Sequence, residues 1–99
     1  MVVLSYAKIK TFIHKHPESK DVMNNWYRLA DKADWSNFHE IKRMFSNSVD
    51  AIGKDRFVFN VGGGNYRIIA VIFFDVRTLY LRFVGTHAEY EKLKNVTII

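Results

Sequence analysis

The strongest restriction on this chain is a change of hydrophobic period near residue 48. Upstream, apolar residues recur every three or four positions. Downstream, they alternate. The first spacing builds one face of a helix and the second builds one face of a strand, so the two halves cannot exchange roles. The pattern predicts an α+β domain with N-terminal helices packed on one face of an antiparallel β-meander and a short C-terminal helix.

Val2 to Leu4 reads as an edge strand. Tyr6, Ile9, Phe12 and Ile13 follow at helical spacing, with Ser5 placed to cap them. Pro17 suits the first turn of a second helix. Val22, Trp26, Leu29, Ala30 and Ala33 form its stripe, so it runs to about Lys32. A third helix starts at Asn37, where Glu40 completes a pattern resembling a capping box. Phe38, Ile41, Met44 and Phe45 form its inner side. Ser48 to Ile52 is the next strand, followed by a Gly53-Lys54-Asp55 turn. Arg56 to Val61, Tyr66 to Asp75 and Thr78 to Val84 complete the meander. Gly62 to Asn65 and Val76-Arg77 are its turns. Thr86-His87-Ala88-Glu89 is a capping box that opens a helix to about Lys94, and Asn95 to Ile99 adds an edge strand.

A chain of 99 residues has room for one core, so residues 1–99 read as a single domain. Cysteine is absent, which excludes disulfides, thiol nucleophiles and thiolate metal sites and fits a reducing cytoplasm. No apolar run reaches the roughly 18 residues of a membrane span. MVVLSYAKIK lacks the basic and apolar regions of a signal peptide. Fifteen Lys and Arg against ten Asp and Glu give a net charge of +5, which favours a polyanionic partner.

The two hairpin turns fix which side chains share a face. Pairing Val61 with Tyr66 and Asp75 with Thr78 gives one wholly apolar face: Phe57, Phe59, Val61, Tyr66, Ile68, Ala70, Ile72, Phe74, Leu79, Leu81 and Phe83. The other carries Arg56, Asn60, Arg67, Tyr80 and Arg82 among Val58, Ile69, Val71, Phe73 and Val84. Three arginines are not buried without acidic partners, so this face is expected to be an open, basic concavity. Arg67 would lie between Asn60 and Thr86, beside the last helix. His87 stands at the first position of that helix, with Tyr90 three residues on. A helix start attracts phosphate. A histidine to move a proton, arginines to offset charge on a pentavalent phosphate and a phenol to position the substrate suit phosphodiester chemistry.

Other features point to bland roles. His14 and His16 alternate on a helix and diverge; His39 is a surface residue; Trp26 and Trp35 belong to the core. The Gly62–Gly64 run lacks the Lys-Ser/Thr of a phosphate loop. No paired carboxylates support glycosidase or two-metal chemistry, and no nucleophile elbow supports a Ser-His-Asp hydrolase. No cofactor or metal is called for.

RFVFNVGGGNYRIIAVIFFD, followed by LYLRFVGTHAEYEKL, resembles the HigB family of bacterial toxins within the RelE-like superfamily. ADWSNFHEIKRMF and the helix around NNWYRLADKADW fit the same family. RFVGTHAEY is the most specific stretch, with VFNVGG and the following YR in support. The resemblance implies a bacterial cytoplasmic mRNA interferase acting on ribosome-bound messages without a metal, by 2′-OH attack that leaves a 2′,3′-cyclic phosphate. It also implies neutralisation by a cognate HigA-type antitoxin, with operator DNA contacted only through that complex. Carried over by residue, the catalytic candidates are Arg67, Arg82, His87 and Tyr90, and the RNA contacts are Lys54, Arg56 and Asn60. His87 would transfer the proton, Tyr90 would be an alternative base or stacking platform, and Arg67 and Arg82 would stabilise the transition state. The competing readings are a non-catalytic nucleic-acid binder, a gyrase-directed toxin on this fold, and an interaction protein using Ile69, Val71 and Val84 as its partner surface.

Overall fold

The computed structural model describes residues 1–99. β1 (Val2–Leu4) leads into α1 (Ala7–Lys15), α2 (Lys20–Lys32) and α3 (Phe38–Phe45). Then come β2 (Val49–Gly53), β3 (Arg56–Val61), β4 (Tyr66–Phe73), β5 (Thr78–Thr86) and α4 (His87–Glu91). The strands form one five-stranded sheet in the order β1-β5-β4-β3-β2. β2 to β5 are the antiparallel meander that the alternation predicts, and β1 adds to its far edge, parallel to β5. No helix is long and apolar enough to cross a membrane.

The N-terminal helices cover one face of the sheet. Ile9 and Phe12 of α1, Met23, Trp26 and Ala30 of α2 and Ile41 of α3 are buried with Phe57, Phe59, Ile68, Ala70, Ile72, Leu79 and Leu81. Phe59 is the centre: its ring lies 5.2 Å from those of Trp26 and Phe45 and 6.4 Å from that of Trp35. Both tryptophans are therefore core. Burial of one such ring stabilises by about 1.5–3 kcal/mol, with about 0.5–1.5 kcal/mol more per aromatic pair.

Several local expectations change. Ser5 does not cap α1; it takes a left-handed backbone (φ 72°) to turn the chain out of β1, and Tyr6 holds the N-cap position without a side-chain bond. The stripe of α2 is rotated, so Met23 is buried and Leu29 exposed. Met44 of α3 is likewise exposed. Asn37 caps α3 by accepting from the Glu40 N–H at 3.0 Å, but the Glu40 carboxylate accepts from Ser36 rather than returning to Asn37. The helix after Thr86 stops at Glu91, short of Lys94, and residues Val96–Ile98 form a 3-10 turn instead of an edge strand.

The β4–β5 register carries the largest correction. Val61 pairs with Tyr66 and Asn60 with Arg67 as expected. At the other end, however, Thr78 pairs with Phe73, not Asp75. Phe74–Val76 forms a 3-10 turn, and Arg77 closes it in the left-handed region at φ 49°. The favoured two-residue turns demand positive φ at the first central residue, which would be Val76; it is β-branched and resists it. A bulge between Ile69 and Ala70 then leaves Arg82 as the extra residue of β5. Beyond it Phe83 pairs with Ile69 and Val84 with Ile68. Phe83 thus moves to the second face, and Val84 moves to the core. Arg67 faces Gly85, one residue short of the expected Thr86.

The second face is not an open concavity. Val58, Ile69 and Val71 are buried on it. The C-terminal segment folds back: Arg56 donates to the Ile99 backbone oxygen from Nε at 3.2 Å and from Nη2 at 2.8 Å. The apolar centre of a three-arginine face attracts cover, and carbonyl oxygens satisfy the arginine. Ile69 and Val71 are therefore enclosed within the chain and do not form a partner surface, and Val84 belongs to the core.

Candidate active site

One end of that face remains accessible, where β4 and β5 meet α4. The local sequence explains the shape. Thr86 accepts from the Glu89 N–H at 3.1 Å, and the Glu89 carboxylate accepts from the Thr86 N–H at 2.8 Å, a complete capping box. These bonds hold the Glu89 carboxyl below its ordinary range; the Thr86 backbone N–H is the main cause, and the charges of His16 and Lys15 add to it. The His87 N–H donates to the Asn65 carbonyl at 2.9 Å, which ties the helix to the glycine-rich β3–β4 turn. The helix start therefore commits the His87 and Glu89 N–H groups internally. The attraction for phosphate falls to side chains, Arg67 above all.

Arg67 is half-buried. Its Nη1 donates to the Gly64 carbonyl at 2.5 Å and to the Tyr66 carbonyl at 3.1 Å; its Nη2 stands 2.7 Å from Nδ1 of His87. A guanidinium has no acceptor, so Nδ1 must supply the lone pair in this contact. The proton of the neutral ring then resides on Nε2, which lies 3.1 Å from Oε1 of Glu91 and donates to it. The result is a relay, Glu91 to His87 to Arg67, with His87 about half exposed. Tyr90 lies beneath the guanidinium, its ring centroid 5.9 Å from Cζ of Arg67, and 6.4 Å from the ring of Phe83. Gly85 makes room for that ring: a Cβ there would stand 2.9 Å from Cε2 of Phe83 and 3.1 Å from the Glu89 carboxylate.

The structure brings together Arg67, His87 and Tyr90. It sets the other candidates apart. Arg82 is exposed on the bulge, its Cζ 5.8 Å from the Tyr80 ring. Lys54 is exposed in the β2–β3 turn, where its carbonyl accepts from Nη1 of Arg56 at 2.8 Å. Arg56 is occupied by that bond and by Ile99. Asn60 pairs across the strands with Arg67 but lines a groove beside Trp26 and Val22 of α2. Elsewhere, His14 and His39 are exposed, and His16 stacks on Phe12 and pairs with Glu18 at 3.4 Å.

Glu91 is the member that the sequence reading missed. Its signal was present: it stands four residues after His87, the spacing that puts two side chains side by side on a helix. Phe83 and Gly85 were hidden by the register.

A proton acceptor beside a guanidinium, above a phenol, can move a proton and offset negative charge on a bound phosphate. The model of the HigB toxin family, described as the RelE-like toxic component of a toxin–antitoxin system, matches residues 19–93. This chain belongs to the HigB toxin family. It is 30% identical to the mRNA interferase HigB of Escherichia coli O6:H1 over 94% of this chain and 91% of that relative. Its identity to the mRNA interferase toxin HigB of Escherichia coli K12 is 28%, over 92% of this chain and 88% of the relative. The mRNA interferase HigB of Shigella flexneri matches to the same extent. The α+β fold of this HigB-family chain is the one its hydrophobic periods predict.

Proposed function

We propose that this chain is the endoribonuclease toxin of a toxin–antitoxin pair, cutting mRNA on the ribosome without a metal and restrained by a HigA-type antitoxin. The observation that carries the reading is the Arg67–His87 contact at 2.7 Å beside Tyr90. In this reaction His87 Nδ1 takes the proton of the ribose 2′-OH. The 2′ oxygen attacks phosphorus, the bond to the 5′ oxygen breaks, and that oxygen takes a proton from water as it leaves. The products are a 2′,3′-cyclic phosphate and a 5′-hydroxyl.

Arg67 has a double part. At rest its Nη2 occupies the lone pair that His87 needs. An arriving phosphate draws the guanidinium to itself, which frees Nδ1 and supplies positive charge where the transition state is most negative. Glu91 holds the proton on Nε2, so the free lone pair stays on the substrate side. Tyr90 supports the guanidinium and offers a ring to a base. Arg82, Lys54 and Asn60 are RNA contacts outside the reacting atoms, and Arg56 joins them only if the Ile99 segment moves.

The test is induction in bacteria with primer extension of cellular mRNA. The wild-type chain should arrest growth and produce new 5′ ends, while His87→Ala and Arg67→Ala should lose at least 100-fold in cleavage, on the order of one general base or charge stabiliser. Glu91→Gln should lose less and shift the pH profile. If both alanine variants arrest growth with unchanged cleavage, the assignment fails. Arrest with intact transcripts would favour a toxin with another target.

A further inference from the structure

A groove of about 410 Å³ runs between α1 and the bulged end of β5, outside the Arg67–His87 site. Lys8 and Lys15 of α1 line one wall, and Arg82 and Phe83 line the other. The two lysines are seven residues apart, so they project from one side of the helix. They stand about 10 Å apart along its axis, the rise of about three stacked nucleotides at roughly 3.4 Å each.

We infer that this groove binds the sugar–phosphate backbone of RNA, extending the cleavage site along the strand. The inference rests on the ribonuclease reading. Its cations are not ion-paired: Lys8, Lys15 and Arg82 take part in none of the chain's ion pairs, which join His16 to Glu18, Arg77 to Asp34 and His87 to Glu91, although Arg82 lies over the Tyr80 ring. The one carboxylate in the groove, Glu89, is held by the Thr86 N–H. His16 also borders the groove but turns to Glu18. The groove is continuous with the site. Phe83 lines it and lies 6.4 Å from Tyr90, whose ring lies under Arg67. The β5 bulge makes this possible, because it displaces Phe83 from the core face and aims Arg82 outward beside it. A strand leaving the scissile phosphate would cross Phe83, a stacking surface, and meet three cations. An acidic protein segment would gain the charges but would have no use for this connection.

The test compares Lys8→Glu/Lys15→Glu with Lys10→Glu/Lys32→Glu, an equal charge change on exposed residues away from the groove. All are full-length chains with thermal melting as the fold check. The first arm measures binding of a 2′-O-methylated 12-nucleotide RNA, which resists attack by its own 2′ oxygen, from 50 to 200 mM salt. The groove variant should bind less tightly than the control. Its log–log salt slope should be shallower by about 1.4, at about 0.7 per phosphate on a single strand; that is about sevenfold less salt sensitivity over this range. The second arm measures mRNA cleavage in a translating extract, where the groove variant should again fall below the control. A defect in both arms places the substrate strand in the groove, and a defect only with ribosomes, with binding of the free RNA unchanged, overturns that placement. Equal behaviour of the two double variants in both arms overturns the inference. Failure of the wild-type chain to cleave mRNA in the extract would instead sink the ribonuclease reading.

Discussion

α3 and α4 begin with nearly the same four residues of chemistry, Asn37 with Glu40 and Thr86 with Glu89, yet they do opposite work. α3 uses its start to enter the core. Ile41 is fully buried, Phe38 stacks on Phe57 at 5.5 Å, and Phe45 packs on Phe59 at 5.2 Å. α4 buries none of its five residues. It is held by the capping box and by the Asn65 carbonyl, and its side chains are left for chemistry. One local motif can therefore start a helix that packs and a helix that presents a site. What differs is the apolar content after the cap: FHEIKRMF carries a stripe, and HAEYE does not.

The sharpest way to separate the two helices is to remove what each depends on. Ile41→Ala should destabilise by about 2–5 kcal/mol, through lost burial and a cavity, with thermal melting as the measure. No truncation within α4 should approach that. A smaller effect, confined to the other helix, is expected at Gly85. Gly85→Ala should cost about 1–3 kcal/mol by overpacking against Phe83. Because it moves that ring from Tyr90, RNA cleavage should suffer more than the melting temperature suggests. A cleavage rate that follows stability alone would remove Phe83 from the site.

Capping gives the direct comparison. Asn37→Ala and Thr86→Ala should each cost about 1 kcal/mol. Only the second should slow cleavage, since it loosens His87, and hydrogen exchange of the α4 amides should quicken with it. Equal cleavage by both variants would show that the cap does not position the histidine. The smallest effect is in acid. Glu40 is held below its ordinary value of 4.5 by the Ser36 hydroxyl and then by the Ser36 N–H, and Glu89 is lowered by the Thr86 N–H. A depressed carboxyl stabilises the fold fully above its unfolded value and loses that contribution as pH falls through the folded one. Melting temperature should thus drop below pH 4.5, and Glu40→Gln and Glu89→Gln should each flatten that part of the curve.

These comparisons also divide what was legible from what was not. Thr86 and Glu89 are three residues apart, and their bonds are local, so the sequence shows them complete. Asn37 was equally visible, but its partner glutamate chose Ser36, a nearby donor of equal quality that no pattern excludes. The Arg67–His87 neighbourhood followed from one correct hairpin turn and survived the error in the other. Phe83 and Val84 did not survive it, because side chains alternate and a single extra residue reverses them.

The amino-acid order by itself settled the helix-then-strand division, the antiparallel meander, the Asn37 and Thr86 caps and the end of the sheet where Arg67 and His87 meet. Each rests on periods or contacts within a few residues, or on one tight turn. The tertiary structure alone decided the bulge at Arg82, the burial of Val58, Ile69 and Val71 on the second face, the partner that Arg56 satisfies and the groove beside α1. Those outcomes depend on how distant segments compete for the same apolar surface and the same carbonyl oxygens. That competition is resolved only when the whole chain is packed.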